Sequence, residues 1–290
     1  MVNYNPKDWV KLILQFHKND TMRMLLPAML VLGAFTGLAE FLIKDVFEVD
    51  YKSSPIVHSL LGFVISLLLV FRTNTGYDRW WEGRKLWGGF VNSSRNLCIK
   101  LNAFLPVDDS ALRRKMRVLL SNYFFAAKSH LRNQTNEDEW DTYEGFDAEE
   151  FATKVHTPNA FAAQLMIEIN EQYRRGHLTD PQLLVLTEEL RNITDNMGAC
   201  ERIRNTPIPY SYNMFLKKVI FIYSITLPFG LLTDFGYWSV LCSMFIFYAF
   251  ASLELLAEEI EDPFGTDAND LPTDDLAKKI RENLKEIIGE

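Results

Sequence analysis

Apolar residues along the 290-residue chain gather in four blocks, and the charged residues fill the stretches between them. The first block runs from Met24 to Ile43, with Thr36 and Glu40 as its polar interruptions. A spanning helix needs about 20 apolar residues at a rise of about 1.5 Å each, so this block is just long enough to cross a bilayer. Its Gly33 and Gly37 form a GxxxG step that lets a second helix come close. The second block, Ile56 to Phe71, is shorter and ends at Arg72; His58 and Ser66 are among its few polar residues. The third, Val219 to Leu232, follows Lys217-Lys218 and contains Pro228, and the fourth runs from Phe235 to Leu256. Together the last two make a nearly unbroken apolar stretch, which reads as a helical hairpin in lipid turning at Thr233-Asp234.

Charge asymmetry gives the orientation. Only Lys44 and Lys52 lie between the first two blocks, and no Lys or Arg lies between the last two; the other basic residues are on the opposite side. With an even number of spans, both termini and the long insert are expected in the cytoplasm, as for a multi-pass plasma-membrane protein. The chain thus divides into residues 1–71 (an N-terminal helix and spans one and two), 72–216 (a cytoplasmic region), 217–256 (spans three and four) and 257–290 (a cytoplasmic C-terminal segment). At the N-terminus Trp9, Leu12, Ile13 and Phe16 fall at helical spacing beside Lys7, Lys11 and Lys18, which predicts an amphipathic helix at the membrane interface and not a cleaved signal.

The insert is too long for a loop. Its apolar residues recur at helical spacing in RRKMRVLLSNYFFAAKSHL and PQLLVLTEELRNITDNMGACERI, so an all-α region without a large sheet is expected. The acidic stretch from Asn133 to Phe151 reads as an exposed connection. A net charge of -8 argues against a nucleic-acid partner. Cys98, Cys200 and Cys242 lie far apart, which suits a reducing compartment and no disulfide framework. The five histidines (His17, His58, His130, His156 and His177) are scattered, with no HExxH, and there is no Walker loop, GxGxxG or GxSxG. Nothing in the sequence points to an enzyme.

Three segments resemble the bestrophins, particularly their bacterial homologues: GFVISLLLVFRTNTGYDRWWEGRKLWG from Gly62, ERIRNTPIPYSY from Glu201, and AEEIEDPFGTDANDLP from Ala257. The resemblance implies an α-helical homopentamer around a central pore, each subunit binding four further copies of itself and membrane lipid, with a narrow neck in the membrane and a cytoplasmic vestibule. It implies that the second span lines the neck with Phe63, Leu67 and Phe71, and the i, i+4, i+8 spacing puts these on one helical stripe. Narrow apolar rings gate by dewetting, and phenylalanine edges favour anions modestly. The same matching puts a cytoplasmic constriction at Pro181, where Thr179 or Asp180 suits an N-cap. It carries a Ca²⁺ clasp of animal members onto Asp267 and Asp270, although Thr266, Ala268 and Asn269 dilute that acidic run, and a capped turn is the competing reading. Arg72 either attracts anions or pairs with a carboxylate such as Asp78. The expected function is passive conduction of small monovalent ions, chloride-type, with a sodium-type cation channel as the alternative and a carrier or non-conducting scaffold more distant. Glu40, His58 and Glu254 lie towards block ends, away from the mid-depth a carrier site prefers.

Overall fold

The computed structural model describes residues 20–48 and 54–289. The expected N-terminal amphipathic helix lies outside the described residues, as does Lys52. Among the described residues the regular elements are all helical. Helix α1 spans Asp20–Phe41 and runs into a π-helical turn, Leu42–Val46. Then follow α2 (Ile56–Phe104), α3 (Ser110–Leu131), a 3-10 turn (Glu137–Glu139), the short α4 (Ala148–Ala152), α5 (Thr157–Arg174), α6 (Asp180–Asn205), α7 (Tyr210–Phe235), α8 (Trp238–Glu261) and α9 (Thr273–Ile288).

The chain forms two compact units. Among the described residues, one is built from those up to Arg79 and from Pro207–Glu261, and the other from Trp80–Thr206 and the stretch that starts at Asp262. Four helical stretches, Thr21–Val46, Ile56–Phe104, Tyr210–Phe235 and Trp238–Glu261, are long and apolar enough to cross a membrane. All four expected spans are therefore helices. The second runs on past Arg72 into the expected all-α region, unbroken for 49 residues, with no proline between Arg72 and Phe104 to interrupt it. The hairpin turn is not at Thr233-Asp234, which stay helical at the end of α7. It falls at Gly236, whose φ of 53° is a conformation glycine adopts at little steric cost.

In the first unit, several hydroxyls on the spans are satisfied within their own helix. The hydroxyls of Ser66, Thr73 and Thr75 donate to the carbonyls four residues earlier, as do Thr36 in α1 and Ser224 in α7. A hydroxyl in an apolar helix thereby avoids the cost of burial without a partner. The GxxxG step on α1 meets α8: a Cβ on Gly33 would sit 2.7 Å from Met244 Sδ, so a larger residue there would displace the methionine side chain, and one on Gly37 would meet Val240 at 3.8 Å. A small core of Ile65, Leu69, Ile220, Tyr223 and Leu227 joins α2 to α7.

The second unit packs around α3, which is buried from Met116 to Ser129. Phe90 and Tyr123 meet Phe124 edge-to-face, with ring centroids 5.4 and 5.2 Å away. Each large side chain fully buried here contributes roughly 1.5–3 kcal/mol. The acidic stretch expected to be an exposed connection is anchored: Trp140 is buried against Phe161, and Asn122 clasps Asp141 through both its side-chain amide and its carbonyl oxygen. Hydrophobic spacing could not reveal this, since one tryptophan among acids has no period.

The buried charges on α3, Arg117 and Lys128, are paired, as burial requires. Arg117 bridges to Asp141 at 2.7 Å, and Lys128 to Glu139 and Asp274. Arg132, capping α3, adds a bidentate contact to Asp274. Burial acts to raise the Asp274 pKa, but hydrogen bonds from Arg132 and Lys128 and their charges outweigh it and hold the carboxyl well below the usual carboxylate range. A depressed folded-state pKa stabilises the protein above the unfolded value of about 3.9, and that contribution fades as pH falls through the folded value. Asp274→Asn is therefore expected to cost about 1 kcal/mol at pH 7, a figure discounted for the 44% exposure of the side chain. Thermal melts of both proteins against pH should begin to approach one another below about pH 4 and meet only well under it, as pH falls through the depressed folded value.

Candidate functional site

Helix α2 carries a buried stripe with the 3.6-residue helical repeat: Ile65, Leu69, Arg72 and Gly76. The most constrained member is Arg72, which is fully buried. Its Nη2 lies 2.6 Å from Glu261 Oε2 and its Nε 3.9 Å from Glu254 Oε2. The two glutamates are seven residues apart on α8, hence on one face. Glu261 is committed twice more. Its Oε1 accepts the Ile208 backbone N–H at 2.7 Å, and its carbonyl accepts from Arg79 Nε at 2.9 Å. The helices approach closely here, since a Cβ on Gly76 would lie 3.0 Å from the carbonyl oxygen of Ala257. Arg72 thus pairs with a carboxylate, as one of the two expectations had it, but the partners are Glu261 and Glu254 and not Asp78. The prolines before α7 explain part of this: Pro207 and Pro209 end α6 and turn the chain so that Ile208 presents its N–H to Glu261.

Phe63, Leu67 and Phe71 are 69%, 47% and 56% exposed in the single chain. At about 100° per residue, Phe63 and Leu67 lie within about 30° of the direction opposite the buried stripe, and Phe71 about 50° from it. The three therefore share the face of α2 turned away from its own packing. Val64 and Val70 flank them and are exposed too.

Pro181 is exposed in the first turn of α6, behind Thr179 at the N-cap. The Thr179 backbone N–H donates to Gln182 Oε1 at 2.9 Å, and Tyr173 Oη donates to Asp180 Oδ1 at 2.8 Å. After α8, Asp270 is buried and its Oδ2 accepts the Asp267 backbone N–H at 2.7 Å, while the Asp267 side chain is exposed. The Asp270 carboxylate thus closes the loop Asp267–Asp270, the capped-turn arrangement.

One cluster has no sequence signature. His130, at the end of α3, and His156, at the N-cap of α5, both aim Nε2 at Glu201 Oε1 of α6, each at 2.8 Å. Among the described residues this is the group of three His, Cys, Asp or Glu side chains whose ligand atoms converge within 4.8 Å. Burial chiefly lowers the His130 pKa, with His156 and Arg204 acting the same way against the raising effect of Glu201. Spacings of 26 and 45 residues between the three gave no motif to find.

A chain with four helices long and apolar enough to cross a membrane, and an apolar stripe on the free face of one of them, has the build of a helical membrane protein. The bacterial and fungal bestrophin family model matches residues 1–286, and the chain belongs to the bestrophin family. It is 36% identical over 245 residues to a voltage-dependent anion channel-forming protein of Nostoc sp., covering 81% of this chain and 78% of that one. It is 32% identical over 294 residues to the voltage-dependent anion channel-forming protein YneE of Escherichia coli, covering 100% of this chain and 95% of that one. The crystal structure of a bacterial bestrophin homologue from Klebsiella pneumoniae superposes with a TM-score of 0.84 at 29% identity, over 92% of this chain and 99% of that one.

Cutting the Arg72 pair from one side leaves a buried charge uncompensated. Glu261→Ala is expected to destabilise the protein by about 3 kcal/mol, whereas Asp78→Ala, at an exposed position, should stay within about 0.5 kcal/mol. Thermal unfolding in detergent compares the two, and equal losses would contradict the pairing.

Proposed function

We propose that this protein is a pentameric anion channel of the inner membrane, chloride-conducting, with Phe63, Leu67 and Phe71 forming its neck. The observation that carries the reading is the position of these residues on the free face of α2, opposite a side held by Ile65, Leu69 and the paired Arg72. A single such helix encloses no conduit, so the stripe needs further copies around an axis. The relatives named as voltage-dependent anion channel-forming proteins support anions over the sodium-type alternative.

In this arrangement five copies of each residue make three apolar rings, about 6 Å apart along α2. Each step of four residues rotates the position by about 40°, so α2 inclines to the pore axis to keep the rings stacked. An ion in the neck meets no fixed charge: Arg72 is turned inward, and conduction rests on ring width and on phenylalanine edges. The Trp80–Thr206 and Asp262–Glu290 unit is the cytoplasmic region, with both termini on that side, and Pro181 contributes its constriction.

Native mass spectrometry in detergent should return five chains. Under one salt gradient Leu67→Ala should raise single-channel conductance severalfold by shortening the dewetted stretch, and Leu67→Phe should shift the reversal potential towards anions. Val64→Ala and Leu68→Ala serve as controls and should change permeation little. Altered permeation in the controls with none at Leu67 would move the neck to another face.

Calcium at Asp267 and Asp270 is a second, separate reading, resting on their oxygen donors alone. The Asp270 carboxylate already holds its own turn, so Asp270→Ala is expected to cost about 1–2 kcal/mol through the freed N–H. A calcium-dependent rise in melting temperature in the wild type that Asp267→Ala abolishes would establish the ion; identical titrations would leave the turn.

A further inference from the structure

We propose that His130, His156 and Glu201 form a binding site for one divalent transition ion, of the zinc class, that ties together three helices of the Trp80–Thr206 unit. The three residues come from the last turn of α3, the N-cap of α5 and the penultimate turn of α6. Both imidazole Nε2 atoms lie 2.8 Å from the same carboxylate oxygen, and the rings face each other at 4.3 Å between centroids. Two imidazoles and a carboxylate converging on one point are a donor set that zinc and its neighbours prefer, and they leave a fourth position for water. Metal–ligand bonds of about 2.0–2.1 Å put tetrahedral donor atoms about 3.3 Å apart. The ion enters by opening each contact about 0.5 Å from its present 2.8 Å. All three side chains are between 22% and 28% exposed, so solvent can deliver the ion.

Electrostatics favour a cation at this point. Helix C-termini carry partial negative charge, and the ends of both α3 and α6 supply it here against the single N-terminus of α5. Glu201 contributes a full negative charge. Arg204 is the opposing charge, and its guanidinium is engaged with the His130 carbonyl at 2.8 Å and with Asn133.

The metal-free arrangement also fixes what binding must change. His156 Nδ1 accepts the Asn159 backbone N–H at 3.1 Å, so its ring carries hydrogen on Nε2 and donates it to Glu201. His130 Nε2 likewise donates, since an ionised carboxylate only accepts. For each neutral ring to ligate, its hydrogen moves from Nε2 to Nδ1 through solvent, with no net proton gained or lost. At His156 this gives up the helix cap. Asn159 is exposed, so water takes over its N–H. Metal binding and the α5 cap therefore compete, and that competition supplies a clean variant: His156→Asn keeps a strong capping oxygen and deletes the ligand nitrogen.

The test uses the full chain, purified in detergent, stripped with chelator and titrated with zinc chloride, with magnesium chloride as the control. Wild type should bind one zinc per chain with a saturable rise in melting temperature, and magnesium should have no effect. Cobalt(II) should give visible absorption bands of a low-coordinate site. His156→Asn keeps the α5 cap but gives up the hydrogen bond to Glu201, so its metal-free melting temperature should fall slightly, and it should lose more than about tenfold in zinc affinity together with the cobalt bands. His130→Gln should weaken zinc similarly and serves if the first variant folds poorly. Absence of zinc binding in the wild type, or zinc isotherms unchanged in both variants, would overturn the site. No ion current enters these measurements, so their outcome is independent of the channel reading.

Discussion

The buried guanidinium of Arg72 constrains the membrane-spanning unit more than any other group. A charge placed at the end of an apolar span must find a partner or impose a large desolvation cost. Here the partner is Glu261, which also receives the Ile208 N–H and, through its carbonyl, Arg79. One carboxylate at the end of α8 thereby holds two positions of α2 and the chain entering α7. Glycine at position 76 permits the approach that brings these groups within reach.

This pairing sets the rotation of α2. A helix is free to turn about its axis in an apolar medium, because lipid and protein interior solvate its aliphatic side chains about equally well. Arg72 removes that freedom by needing its partner on α8. Ile65 and Leu69 then fall on the packed side, and Phe63 and Leu67 on the far side, with Phe71 next to them. The apolar stripe that the proposed neck requires is thus aimed by an ion pair none of its own members makes. The same pairing takes the charge of Arg72 out of any conduit.

In the other unit, α3 plays the central part. Its buried length carries Arg117 and Lys128 as well as aromatic residues, and each charge is answered by an acid from the stretch after α3 or from α9. A segment of low hydrophobicity is thereby drawn onto the core by charge and by one tryptophan. The convergence of His130, His156 and Glu201 follows from the same packing, which brings the end of α3, the start of α5 and the end of α6 to one place.

Much of this was legible in the residues themselves. The four apolar blocks, the helical insert, the cap at Thr179, and the shared stripe of Phe63, Leu67 and Phe71 all rest on local repeats and on the fixed geometry of a helix, which act within a few residues. The three bestrophin-like segments identified the family for the same reason: each is contiguous. What spacing could not supply was every choice among distant partners. Arg72 had Asp78 nearby in sequence and took Glu261, 189 residues away. Trp140 sat in an acidic run and became core. The hairpin turned at Gly236 because a positive φ was needed there, while Thr233 and Asp234 suited a turn only by composition. Two histidines 26 residues apart met a glutamate 45 residues further on. A helix repeat fixes which side chains share a face, but the neighbour that face meets depends on how whole helices pack, and only the tertiary structure decides that.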